Sequence, residues 1–322
     1  MRTAPDVHPI AFRLGQIDAL ARTLLASPAL YPAEMRDSLS LRWLNRAWDQ
    51  YRTDRAISLG AQLIGAECAA ERNAFLTLLD RALPTRDHPL AGAIRTVRTL
   101  AIRPLASEAA EAAAIVADSW TDLDAVLAVL ADSTLPTAPL ERLLALVERF
   151  RTSHGLDDDA LSATARTPCW AVNLAAVARG PAFRLSQTPL PFPGLVQRRL
   201  FRADLSAEAR RIDAGDSLRE ALHDTACDIA RILRAAELFA REFPHQRSHS
   251  RLYPAWMLLF ALGALTPAQL ARALPATKAG AAKLLRQLEA RHMADSPGPF
   301  APFSCTITLP VAFPELWDVD PC

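Results

Sequence analysis

Residues 253–290, YPAWMLLFALGALTPAQLARALPATKAGAAKLLRQLEA, carry the pattern that decides the C-terminal fold. Pro254–Leu262 is mostly apolar and runs into Gly263, the residue best suited to close a helix. Thr266 and Pro267 follow as a cap and a first helical residue. They open a short helix over Ala268–Ala273, with Leu270 and Ala271 facing inward. Leu274–Ala276 is a three-residue turn. Thr277 then caps a second helix, Lys278–Arg291, with Ala281, Leu284, Leu285 and Leu288 on its buried side.

A short helix, a tight turn and a capped longer helix have the layout of a helix-turn-helix. The segment resembles the winged helix-turn-helix of multiple-antibiotic-resistance-type and related bacterial regulators. The resemblance rests on Leu265, Thr266, Leu270, Ala271, Thr277, Lys278, Lys283, Leu284, Leu285, Leu288 and Glu289. It implies a wing built from a strand near His292–Asp295, a Pro/Gly-rich tip over Ser296–Pro302, and Cys305–Leu309, whose CTITL alternates as a strand does. It further implies double-stranded DNA as the partner and transcriptional regulation as the role. The chain departs from the pattern at Pro275, where those regulators usually have Gly, and at Gly280 and Ala282, which are too small to reach base edges. Backbone contacts are therefore expected to outweigh base-specific ones. The layout as a whole, a long helical N-terminal region before this module, loosely resembles a helix-turn-helix family of alphaproteobacterial replicons from which no activity carries over.

Charge agrees with that reading. Between Thr266 and His292, Arg272, Lys278, Lys283, Arg286 and Arg291 face Glu289 alone, on a chain whose formal net charge is +1. A local cluster on a near-neutral chain is what a phosphate-binding module requires. With Thr277 at the helix start, these are the expected DNA-contacting residues. The alternative is a module of the same fold that contacts protein and serves as a scaffold subunit.

Upstream, Asp216–Phe243 is the most regular helical pattern. Leu218, Leu222, Thr225, Ile229, Ile232, Ala236 and Phe239 recur in steps of three and four, close to a heptad seam. The seam fits packing on the helix's own domain or dimerisation equally well. In the second case Leu222, Ile229, Ile232 and Phe239 are the expected homodimer contacts. Arg184–Gly194 contains Pro189, Pro191 and Pro193 and reads as an extended linker. The expected organisation is a helical sensor or partner domain over 1–180, a proline-rich linker region over 181–215, the long helix over 216–251 and the winged module over 252–322.

The region before residue 180 reads as helices at Ile10–Ala26, Ala33–Arg52, Ala56–Leu83, His88–Arg103, Ser107–Asp118, Thr121–Ala131, Pro139–Arg151 and Pro168–Arg179, punctuated by Pro, Gly and Asp/Ser. On Ala33–Arg52, Trp43, Trp48 and Tyr51 beside Arg42, Arg46, Arg52 and Arg55 fit a stacking surface for nucleic acid, or an amphipathic helix with a salt-bridged face. Asp37, Asp49 and Asp54 nearly balance those arginines and favour the second.

Composition sets the class. The 322 residues are 51% hydrophobic but only 7% aromatic, and Ala and Leu dominate, so the expected fold is mainly α. The near-zero net charge argues against a globally basic nucleic-acid coat. The five cysteines are scattered with no C-x-x-C pair, as expected of reduced thiols in a cytoplasmic protein rather than of a disulfide framework or zinc site. The N-terminus lacks an apolar run of signal length, and Ala255–Leu265 is shorter than the ~20 residues of a membrane span. Nucleotide-loop, zinc-protease and serine-hydrolase motifs are absent. His245 and His249 lack a nearby third ligand, and Asp157–Asp159 lack the Gly and Glu spacing of a calcium loop, so no cofactor and no enzyme activity are expected.

Overall fold

A computed structural model describes residues 7–26, 32–58, 61–153, 168–202, 204–245, 250–296, 298 and 301–307. The chain is mainly helical, with α1 (Val7–Ala26), α2 (Ala33–Asp54), α3 (Ala69–Ala82), α4 (Pro89–Leu100), α5 (Ala106–Leu130), α6 (Pro139–Ser153), α7 (Cys169–Ala178), α8 (Ala207–Glu242) and α9 (Leu252–Leu262). Then follow β1 (Ala264–Leu265), α10 (Pro267–Ala273), α11 (Lys278–Glu289), β2 (Ala294–Asp295) and β3 (Phe303–Cys305). The three strands form one antiparallel sheet in the order β1-β3-β2. Leu265 lies opposite Phe303, and Ala294 opposite Cys305.

Two N-terminal helices differ from the sequence expectation. The Ala56–Leu83 pattern becomes a helix only at Ala69, because Ala56 and Cys68 adopt left-handed backbone conformations that stop propagation. The intervening loop packs on α2, where the Trp48 indole N–H donates to the Ala61 carbonyl at 2.9 Å. Conversely, the expected break near Ser119–Thr121 is absent and α5 runs through it. No Gly or Pro interrupts those 25 residues, Ser119 is buried, and the Glu108 carboxylate caps the helix by accepting from the Leu105 N–H at 2.7 Å.

The proline-rich stretch is corrected more substantially. Residues 181–202 do not form a solvated linker: Phe183, Leu185, Leu190, Phe192, Leu195, Val196 and Leu200 are all buried. Proline carries no N–H, so such a strap can cross a core with fewer donors to satisfy. Those that remain are met by backbone carbonyls, as where the Phe192 N–H donates to the Ala176 carbonyl at 3.4 Å, and by side chains. The Asn173 amide accepts from the Val196 N–H at 2.9 Å and donates to the Val196 carbonyl at 3.0 Å. Asp18 accepts from the Thr188 N–H at 3.0 Å. Against burial, which would raise it, the hydrogen bonds from Ser186, Thr188 and Arg22 hold the Asp18 carboxyl down at about 2. Close approach is required at Gly180, where a Cβ would stand 1.9 Å from the Leu190 carbonyl oxygen.

The α8 seam is internal. Leu222, Ile229, Ile232 and Phe239 are 0, 1, 0 and 5% exposed within the single chain, covered by helices that include α2 and α9. They cannot meet a second copy without opening this core, which corrects their reading as dimer contacts. The helix also begins earlier than expected, at Ala207, where the Ser206 hydroxyl accepts from the Ala209 N–H. One hydrophobic cluster runs from Ile17 to Phe303, so the regions expected as separate domains share a core.

Across the α2–α8 contact, Arg42 pairs with Asp228 at 2.6 Å and Arg46 reaches Asp228 at 3.3 Å and Thr225 at 3.0 Å. Trp43, Trp48 and Tyr51 are buried, and Tyr51 packs against Phe75. The arginine-rich helix is thus a salt-bridged amphipathic helix, and its rings are not available to stack on bases. No helix among the described residues is long and apolar enough to cross a membrane.

Candidate nucleic-acid interface

Local chemistry builds the segment from α9 to β3. Gly263 closes α9 with φ near +78°, a conformation in which a side chain is strained. At α10, the Thr266 hydroxyl accepts from the Gln269 N–H while the Gln269 side chain accepts from the Thr266 N–H, with Pro267 in the first turn. This reciprocal capping box satisfies two orphan donors, and removing such a cap typically costs about 1 kcal/mol. At α11, the Thr277 hydroxyl accepts from the Gly280 N–H at 3.1 Å. Gly280 has a local role here, since a Cβ on it would lie 3.2 Å from that hydroxyl.

The buried side of α11 is Ala281, Leu285 and Leu288, with Leu284 half-buried. At ~100° per residue, Lys283 and Arg286 lie about 60° apart on the opposite, outward side. Lys278, Lys283 and Arg286 are all exposed and form no ion pair among the described residues. Between this side of α11 and the β2–β3 hairpin runs an open groove of about 640 Å³, lined by Pro267, Lys278, Ala282, Arg286, Gly298 and Phe303, among others. Its walls are cationic at Lys278 and Arg286, and the small Ala282 leaves space for a partner to approach the helix backbone. Glu289 is the one carboxylate among the residues lining it.

The other two expected contacts are placed differently. Arg272 points at α4: its Nε donates to the Thr99 carbonyl at 3.1 Å and its Nη2 to the Leu100 carbonyl. These are orphan acceptors at a helix C-terminus, where a cation is favoured. Arg272 therefore joins two parts of the chain instead of presenting its guanidinium freely. Arg291 is exposed, with its guanidinium 5.7 Å from the centre of the Phe243 ring just past α8. The arrangement brings Lys278, Lys283 and Arg286 to one surface and sets Arg272 beside α4. The family models and the curated proteins contain no match to this chain.

Several positioning contacts had no signature in the sequence. The Arg251 guanidinium donates to the Pro275 carbonyl and anchors the turn between α10 and α11. Gln269 donates to the Ile64 carbonyl at 3.1 Å, and Ser38 donates to the Met257 carbonyl at 2.7 Å. Arg251 stands out only as one cation of the HQRSHSR segment, whose residues 246–249, including His249 of the histidine pair, lie outside the described residues. Asp157–Asp159 lie outside them as well.

Chemistry elsewhere is structural in geometry. The Cys169 thiol is pushed up by burial and by the neighbouring Asp54 carboxylate, which keeps it protonated. Asp54 itself is raised by burial and accepts from Asn173 at 2.8 Å, supporting the strap at Val196. Burial also pushes up the Cys305 thiol in β3. Among the described residues, no three His, Cys, Asp or Glu side chains gather closely enough to hold a metal.

Proposed function

We propose that this chain is a DNA-binding protein, a transcriptional regulator that docks α11 and the β2–β3 hairpin on duplex DNA. The element order α9-β1-α10-α11-β2-β3 and the small antiparallel sheet β1-β3-β2 support this reading, as they supply the two consecutive helices and the hairpin that the sequence resemblance implies. The observation that carries the reading is the outward face of α11. Lys278, Lys283 and Arg286 stand exposed without a carboxylate partner among the described residues, beside an open groove. Lys and Arg so placed neutralise phosphates, and the small side chains between them offer little to base edges. Binding is therefore tight on phosphate and weak in sequence preference.

The four seam residues of α8 are buried in their own chain, so we propose that the protein binds as a single copy. The helical remainder orients the module through Arg272 and Gln269, and it is the candidate sensor or partner-binding part. A scaffold role draws on one observation, the apolar share of the groove lining at Pro267, Ala279, Ala282 and Phe303. The test is fluorescence anisotropy with unrelated duplexes over a salt series. The three contacts of α11 by themselves contribute about −3 to the log–log slope, similarly for every sequence. No binding at low salt would refute the DNA reading and leave the scaffold role.

A further inference from the structure

We infer that the DNA-contacting surface does not end at the module but continues onto α4 and the turn after it, with Arg95 and Arg103 as further phosphate contacts. This rests on the reading of α11 as a DNA-docking helix. The link is Arg272. Its guanidinium lies on the Thr99 and Leu100 carbonyls, so the C-terminal end of α4 is held against α10, immediately before the turn that starts α11. Arg95 sits one helical turn before Thr99, and the Thr99 hydroxyl donates back to the Arg95 carbonyl at 3.0 Å. The two residues therefore share an exposed stripe of α4. Arg103 follows Leu100 by three residues and is exposed as well.

The electrostatics are one-sided. From Pro89 to Ser107 the chain carries Arg95, Arg98 and Arg103 and no Asp or Glu. Arg98 is neutralised by Asp80 at 2.9 Å, whereas Arg95 and Arg103 form no ion pair among the described residues. Among the described residues, no carboxylate therefore competes for these two guanidinium groups through a salt bridge. Beside Arg103, Ile102 and Leu105 are 57 and 69% exposed, so the turn after α4 faces outward. A polyanion lying along α11 meets Lys283, Arg286 and Lys278, and beyond the turn the end of α4 with Arg95 and Arg103. Arg272 is a positioning residue in this band: it locks the two cationic surfaces together.

Two double variants of the full-length chain test this, Arg95→Ala with Arg103→Ala and Lys283→Ala with Arg286→Ala, each checked for folding by circular dichroism. Each is titrated with a long duplex over a salt series. Loss of two phosphate contacts is expected to flatten the log–log slope by about two in each variant. If only Lys283/Arg286 flattens it, the band stops at α10, and the inference falls while α11 remains a DNA-docking helix. If only Arg95/Arg103 flattens it, the reading of α11 falls and the continuous band with it, and α4 alone carries the phosphate contacts. If neither does, or the parent does not bind, both fall.

Discussion

His88 gives the structure a stability that depends on pH in a calculable way. It caps α4, its Nδ1 accepting from the Leu90 N–H at 3.2 Å, and it is buried. Only the neutral ring can accept that bond, and burial lowers the imidazole from 6.5 to about 4. Because the folded-state value lies below the unfolded one, the unfolded chain binds the extra proton between these limits. The stabilisation is thus complete above 6.5, declines as pH falls towards 4, and is gone below it. At 1.36 kcal/mol per unit, the full effect is about 3 kcal/mol, most of which is lost by pH ~4.5. The assay is urea denaturation at a series of pH values for the parent and for His88→Asn. Asparagine is a good N-cap that does not titrate, so the comparison cancels the carboxylates that also protonate in this range. The parent is expected to lose roughly 2–3 kcal/mol more than the variant between pH ~7.5 and ~4.5. Parallel curves for the two proteins would refute the assignment of a neutral capping imidazole. The consequence reaches the site, since α4 is the element that Arg272 ties to α10.

Three further outcomes follow from packing. Ile229→Asp with Ile232→Asp is expected to unfold the chain, because each places a charge in a core position; light scattering that finds instead a folded monomer derived from a parent dimer would return the seam to an intermolecular role. Arg142→Met should cost about 3 kcal/mol or more in urea denaturation, because it removes donors to the carbonyls of Leu130, Leu135, Pro136 and Ala182; a loss below about 1 kcal/mol would contradict the clamp. Gly180→Ala is expected to lower the thermal midpoint sharply, since its Cβ would collide with the Leu190 carbonyl; an unchanged midpoint would show that the strap can move aside.

The parts of the structure readable from sequence are those that local chemistry decides. Gly263, Thr266–Pro267 and Thr277 place the boundaries of α9, α10 and α11 to within a residue or two, because caps act over three or four positions. Lys283 and Arg286 are outward for the same reason: Ala281, Leu285 and Leu288 define the buried side. What distant contacts decide was not readable. A heptad-like seam looks the same whether α2 and α9 or a second copy covers it. The cluster Pro189–Pro193 reads as a linker because nothing nearby shows that Asp18 and Asn173 will satisfy the strap's backbone. Arg272 belongs to a cationic cluster in sequence, yet its partners are carbonyls more than 170 residues earlier in the chain.

The central claim is that α11 meets DNA through its exposed cations. The most direct measurement is the salt dependence of duplex binding for Lys278→Ala with Lys283→Ala against the parent. Helicity should survive, since alanine is the better helix former and neither side chain is buried. The account predicts weaker binding to every duplex and a log–log slope flattened by about two. A folded double variant that binds as tightly as the parent at every salt concentration would contradict it.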